Sequence, residues 1–172
     1  FLQLVKNHMI KKFEFDKHIE DRGCIYTFFD RRNVQSYIRF VQDKVSVSHR
    51  GVIRGFHGDA ITWKLITCLE GSFKLVVYDI VNQLTEHVTL NSDSNTQVSI
   101  LVPPHHLNAH QCLTEKCIFL YKWSEFYAGP QAQWSVHYND SSISPDWPIG
   151  ATDISERDRT APSLKEFKDN LT

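Results

Sequence analysis

Apolar and polar residues alternate in short runs along most of the chain, and turn-forming residues separate the runs. Ile10 to Asp16 alternates weakly, Gly23 to Phe29 is aromatic and β-prone, and Arg39 to Ser48 alternates well. Val52 to His57, Trp63 to Leu69, Ser72 to Ile80, His87 to Leu90, Val98 to Val102 and Lys116 to Phe126 complete the set. Side chains alternate across a strand, so period-two patterning predicts half-buried strands. Glu70-Gly71 between two apolar runs reads as a hairpin turn, and Asn91 to Asn95 as a polar loop. Many short strands at this spacing predict an antiparallel sandwich or barrel.

The tail differs. From Ser141 onward come Pro145, Pro148, Gly150 and Pro162, then Ser163, which is placed as a helix N-cap. Leu164, Phe167 and Leu171 follow at helical spacing. The expectation is a loop wrapping the barrel, then a short helix. No repeat or linker interrupts the chain, so residues 1–172 are read as one domain. Phe1 to His8 precede the sole methionine, Met9, and read as an expression remnant or an upstream extension.

Composition narrows the function classes. With 19 basic and 20 acidic residues the net charge is −1, so no global field draws the chain to nucleic acid or membrane. The longest apolar runs are five or six residues, too short for a spanning helix or a secretory core. Cys24, Cys68, Cys112 and Cys117 show no Cys-x-x-Cys spacing and are expected as thiols of a cytoplasmic protein.

Candidate chemistry concentrates in Gly51-Val52-Ile53-Arg54-Gly55-Phe56-His57 and Trp63-Lys64-Leu65. Residues on one face of a strand in a small barrel converge on its interior, and this short region supplies an imidazole with cations close by. That set suits removal of a proton beside a carbonyl and stabilisation of the enolate. The bland alternative is a surface or satisfied polar Arg-x-x-His. His105, His106 and His110 beside Cys112 and Cys117 invite a metal reading. They lack a matching ligand pattern around His57, so they are expected as structural histidines on a loop or barrel rim. His110, two residues from Asn108, can face the pocket as a binding group. Trp123, Trp134 and Trp147 are assigned to core or dimer surface, and Lys122 to solvent.

Further motifs carry a resemblance. Asp21-Arg22-Gly23, Phe40-Val41-Gln42-Asp43, Val52-Ile53-Arg54-Gly55-Phe56-His57, Lys64-Leu65 and Val102-Pro103-Pro104 are followed in order by Leu120-Tyr121-Lys122, Asn139-Asp140, Asp146-Trp147-Pro148 and Ser155-Glu156-Arg157-Asp158. In order and approximate spacing, from about residue 10 to 165, the chain resembles the dTDP-4-dehydrorhamnose 3,5-epimerase family of the cupin superfamily. The resemblance implies an all-β cupin jelly-roll barrel of antiparallel strands with a short C-terminal helical segment. It implies a homodimer with exchanged N-terminal strands, acting on a nucleotide-linked 4-keto sugar without metal or organic cofactor. It makes His57 the base, Asp158 its carboxylate partner, Lys64 the enolate stabiliser and Tyr121 the opposite-face acid. Arg54 would line the pocket, and Arg22 and Gln42 would lie near the nucleotide and phosphates. Independently of the resemblance, Tyr127, six residues after Tyr121, shares its face if the strand continues, and is read equally as a sugar contact or as packing.

Two positions depart from the family pattern. Asn108 stands where the family usually has a histidine, and Leu75 where it has that histidine's supporting aspartate. Asn108 can exchange hydrogen bonds but cannot act as acid or base. Asn108-Ala109-His110 and His57-Gly58-Asp59 are similar to a subgroup acting on GDP-linked 6-deoxy-4-keto-heptoses in bacterial capsule synthesis. GDP therefore rivals dTDP, and inversion at C3 stands beside inversion at C3 and C5. A 3,4-ketoisomerase and a non-catalytic sugar-binding cupin are the other readings.

Overall fold

The computed structural model describes residues 10–34 and 37–171, so the reading of residues 1–8 lies outside the described part. Strands β1 (Lys11–Glu20), β2 (Gly23–Tyr26), β3 (Gln42–His49), β4 (Ile53–Asp59) and β5 (Lys64–Glu70) come first. Then follow β6 (Ser72–Asp79), β7 (Leu84–Asn91), β8 (Thr96–Val102), β9 (His106–Cys112), β10 (Lys116–Trp123) and the short β11 (Trp134–Ser135). Helices α1 (Glu156–Arg159) and α2 (Leu164–Asp169) close the chain. The strands form a six-stranded sheet, β2-β1-β8-β5-β10-β3, and a five-stranded one, β11-β4-β9-β6-β7. Every strand pair is antiparallel. This is the expected two-sheet jelly roll.

Ile66, Phe73, Leu75, Ile100 and Phe119 meet between the sheets at 2% exposure or less. Each such side chain contributes about 1.5–3 kcal/mol by leaving water. The outer face of the five-stranded sheet is covered too. There Phe56, Val76, Leu107 and Ala109 pack against Val136, Ile143, Leu164 and Phe167 of the C-terminal segment. Burial on both faces explains why β6 reads as the near-continuous run Leu75-Val76-Val77-Tyr78 rather than an alternation.

Several boundaries differ from the sequence reading. β7 starts three residues earlier than the pattern shows, and β2 ends at Tyr26, short of Phe28 and Phe29. β10 stops at Trp123 instead of Phe126, which leaves Tyr127 in the following loop. The largest difference is β9. The segment expected as a loop or rim is a central strand between β4 and β6, and His106 and His110 on it are buried. Its polar residues hide a two-sided burial that only the partner elements create. The tail behaves as expected. Ser163 Oγ accepts the Glu166 N–H and the Glu166 carboxylate accepts the Ser163 N–H, closing a capping box. Leu164 and Phe167 are buried, whereas Leu171 is exposed.

Candidate active site

A one-residue bulge in β4 builds the site. Arg54 pairs with His110 and His57 with Asn108, so two β4 residues stand opposite the single Ala109. The bulge brings residues three apart onto one face, and Arg54, His57, Asn108 and His110 all line the same cavity. Gly55 makes the bend feasible: its φ is +116°, and a Cβ there would lie 2.5 Å from the Asn108 carbonyl oxygen.

Asp158 reaches this point from α1. Ser155 caps the helix by accepting the Asp158 N–H, and the carboxylate turns inward at 3% exposure. Its Oδ1 lies 2.6 Å from His57 Nε2, and its Oδ2 accepts the Gly55 N–H at 3.1 Å. Burial pushes the Asp158 carboxyl up, but the bonds from His57, Gly55 and Ser155 outweigh it and hold the pKa below the ordinary value. Burial is also the main influence on His57 and lowers its pKa despite the adjacent carboxylate. The pair therefore rests as carboxylate and neutral imidazole. A carboxylate only accepts, so Nε2 carries the proton and Nδ1 keeps the basic lone pair.

Lys64, the first residue of β5, is 3% exposed. Its Nζ donates to Asn108 Oδ1 at 2.8 Å and to the His57 carbonyl at 3.3 Å, leaving one N–H uncommitted. Burial brings its pKa down to about 8. Tyr121 projects from β10, and burial raises its phenol above the ordinary 10 while Arg54 pulls the other way. His57 belongs to the five-stranded sheet and Tyr121 to the six-stranded one, so they come from facing walls of one cavity of about 440 Å³. Lys44, Arg54, Lys64 and Arg157 line it against two carboxylates, Asp153 and Asp158. That balance suits an anionic ligand.

Eight of the ten residues singled out from sequence line this cavity: His57, Tyr121, Lys64, Asp158, Arg54, Asn108, His110 and Tyr127. Gln42 is not among the lining residues, but its Oε1 accepts the N–H of Tyr127, which is, at 2.9 Å. Arg22 lies away from it, in the turn between β1 and β2, exposed and paired with Glu20 at 2.6 Å. The Asn108 and Leu75 replacements are each accommodated: Asn108 binds Lys64, and Leu75 is wholly buried in apolar core.

The histidines lie on or beside β9 rather than a rim. His106 Nδ1 is 3.0 Å from the Pro104 carbonyl oxygen and its Nε2 3.5 Å from Asp79. His110 stacks on Phe119 with ring centroids 4.1 Å apart. Among the described residues, no three His, Cys, Asp or Glu side chains converge as a metal-ligand group. All four cysteines are free thiols, with Cys68, Cys112 and Cys117 buried. One assignment needs correction: Lys122 is not solvated but pairs with Asp43 at 2.7 Å, its side chain 13% exposed. Trp123 is in the core, as expected, and lines the cavity as well. The sequence reading missed Lys44, Ser46 and Arg157. Lys44 and Ser46 were legible, because they alternate with Gln42 on the well-patterned β3; Arg157 had no signal of its own.

The model for the family described as dTDP-4-dehydrorhamnose 3,5-epimerase matches residues 8–166. The chain belongs to that family. The dTDP-4-dehydrorhamnose 3,5-epimerase of Salmonella typhimurium is 29% identical over 158 residues, covering 86% of each chain. A dTDP-4-dehydro-6-deoxyglucose 3-epimerase of a Streptomyces species is 31% identical over 160 residues, covering 86% of this chain and 80% of its own. Among solved structures, the dTDP-6-deoxy-D-glucose-3,5-epimerase of Legionella pneumophila in complex with dTDP-4-keto-L-rhamnose superposes with a TM-score of 0.86. It is 27% identical and covers 94% of this chain and 91% of its own. The chain is a nucleotide-sugar epimerase of deoxysugar biosynthesis. No described helix is long and apolar enough to cross a membrane.

Proposed function

We propose that the chain inverts C3 of an NDP-6-deoxy-4-keto sugar by proton transfer between two facing walls. One observation carries the reading: the 2.6 Å His57–Asp158 pair shares its cavity with Tyr121 on the opposite sheet. The C3 hydrogen is acidic only because the neighbouring C4 carbonyl accepts its electrons as an enolate. His57 Nδ1 takes the proton, and Asp158 stabilises the imidazolium that forms. The uncommitted N–H of Lys64 faces the developing C4 oxyanion in a buried, low-dielectric site. Tyr121 then delivers a proton from the other face, and the C4 carbonyl re-forms with C3 inverted. We read the enzyme as working without metal or organic cofactor, because His57, Lys64 and Tyr121 between them supply the base, the oxyanion donor and the acid that the step needs. Asn108 positions Lys64 without exchanging protons, which favours a single dominant inversion at C3 over paired C3 and C5 inversion.

The named relatives act, by their names, on dTDP sugars, which sets dTDP ahead of GDP as the nucleotide. We place the enzyme in the cytoplasm, in the synthesis of cell-surface polysaccharide, as a homodimer. Exchange of the exposed β1–β2 hairpin between protomers would carry Arg22 to the partner's cavity.

Heavy water tests the mechanism. With dTDP- and GDP-linked 6-deoxy-4-keto sugars side by side, the wild type incorporates deuterium at C3 with inversion, and uptake at C5 measures any second inversion. His57→Asn abolishes label uptake, a loss of at least about 100-fold. Tyr121→Phe retains exchange at C3 while suppressing inversion; inversion at the wild-type rate would remove Tyr121 as the acid. Migration of the ketone would mark a ketoisomerase, and neither change a binding protein.

A further inference from the structure

Lys64 carries its charge where little water reaches it. The residue is buried, and the oxygens that its Nζ meets, Asn108 Oδ1 and the His57 carbonyl, are both neutral. The nearby carboxylates are engaged elsewhere. Asp158 pairs with His57, and Asp59, at the end of β4, accepts the Ile61 and Thr62 N–H groups. Asp59 supports the Lys64 charge through space, whereas Lys44 from β3 and Arg157 from α1 oppose it.

The β10–β5 register sets Trp123 directly opposite Lys64, and cross-strand partners share a face. Lys64 Nζ lies 5.1 Å from the centroid of the Trp123 ring, within the range of a cation–π contact. The indole is 3% exposed and packed between Tyr121 and Tyr127, which fixes its place. These three rings also form an aromatic cage about Lys44, whose Nζ is 3.5 Å from Tyr127, 4.9 Å from Trp123 and 5.7 Å from Tyr121.

An ammonium stripped of water needs a source of negative potential to stay protonated. A paired carboxylate would supply it but would also cancel the charge that an enolate oxygen must meet. A ring face attracts the cation through its quadrupole and carries no formal charge, so the net charge survives. Indole is the best of the aromatic side chains for this purpose, and loss of water strengthens the attraction.

We propose that the indole face of Trp123 holds Lys64 as an ammonium beside His57, which makes Trp123 a positioning residue acting through Lys64. The catalytic use of that charge rests on the epimerase reading above; the contact between ring and ammonium does not.

Carbon-13 NMR of the full chain with labelled lysine follows Lys64 Cε through its titration, the signal being assigned by its loss in Lys64→Arg. In the wild type it titrates near about 8. Trp123→Leu lowers that value by about one pH unit, and Trp123→Phe, which keeps a weaker ring, lowers it less. Fluorinated tryptophans placed at position 123 alone keep the ring's shape while withdrawing its electron density. Each added fluorine therefore lowers the Lys64 titration further, a graded effect that packing alone would not produce and that does not depend on Trp123→Leu folding. In kcat/KM the alkaline limb moves down with Lys64 while the acid limb stays, and in a Lys64→Arg background Trp123→Leu moves neither. A Lys64 titration indifferent to ring loss and to fluorine overturns the proposal, as does an alkaline limb that Trp123→Leu shifts equally in the Lys64→Arg chain. A titration that follows the ring in a chain that inverts no keto sugar would keep the contact and remove the epimerase reading. Normal epimerisation with a Lys64 titration indifferent to the ring would do the reverse.

Discussion

Lys64 and His57 face opposite requirements in the same pocket, and burial moves both pKa values in the same direction. Desolvation disfavours a cation, so it favours the neutral imidazole a base needs and works against the ammonium an enolate stabiliser needs. In the proposed mechanism His57 acts neutral, so kcat/KM is expected to fall as pH drops through a value below the ordinary 6.5. In the same proposal Lys64 acts charged, so kcat/KM is expected to fall again as pH rises through about 8. Tyr121, raised above 10, stays protonated across this window. The expected profile of kcat/KM against pH is a bell whose alkaline limb lies near 8 and moves upward in Lys64→Arg. An alkaline limb unchanged in that variant would assign the limb to another group. These residue identities were legible in the sequence because the motifs around them were. Their pKa directions were not, because burial is a property of the packed barrel.

At the scale of elements, turns and bulges decide where side chains point. Gly71 joins β5 to β6 with φ +72°, and a Cβ there would lie 2.2 Å from the Lys116 carbonyl oxygen. Gly71→Ala costs about 1–2 kcal/mol from the backbone conformation alone, and more from the clash. The denaturation midpoint should fall with an unchanged m-value; an unshifted midpoint would show that the hairpin relaxes without penalty. This hairpin was readable from Glu70-Gly71 between two apolar runs. The β4 bulge was not. Strict alternation puts Arg54 and His57 on opposite faces, and only pairing with β9 shows the extra residue that reunites them. β9 itself escaped because His106, Asn108, His110 and Gln111 break the apolar pattern, although all but Asn108 are buried.

Across the whole molecule, the cost of a polar cavity inside a barrel shows as acid sensitivity. His110 is enclosed at 4% exposure, with its Nε2 unpartnered among the described residues, and burial lowers its pKa to about 3. Between pH 3 and 6.5 the unfolded chain binds a proton at this residue that the folded chain does not. Stability is therefore greatest above 6.5 and declines as pH falls toward 3. At about pH 5 the loss relative to about pH 7 is up to about 2 kcal/mol, from roughly 1.36 kcal/mol per pKa unit. His110→Phe keeps an aromatic ring on Phe119 and removes this linkage. Its melting temperature should gain on the wild type as pH falls from about 7 to about 5, and a constant difference would show that His110 protonates freely in the fold.

The chain's own order of residues determined the strand-rich architecture and the capped C-terminal helix, and it singled out His57, Lys64, Tyr121 and Asp158, which line one cavity. Alternation, turn residues and local caps are short-range properties, and the motifs are written in the residues themselves. Tertiary structure alone decided that His57 and Tyr121 rise from facing sheets, that Asp158 arrives across about 100 residues of chain to seat on His57, and that Lys44 joins the cavity through an aromatic cage. Those are distances between segments remote in sequence, fixed by strand register and sheet packing, which one-dimensional spacing does not encode.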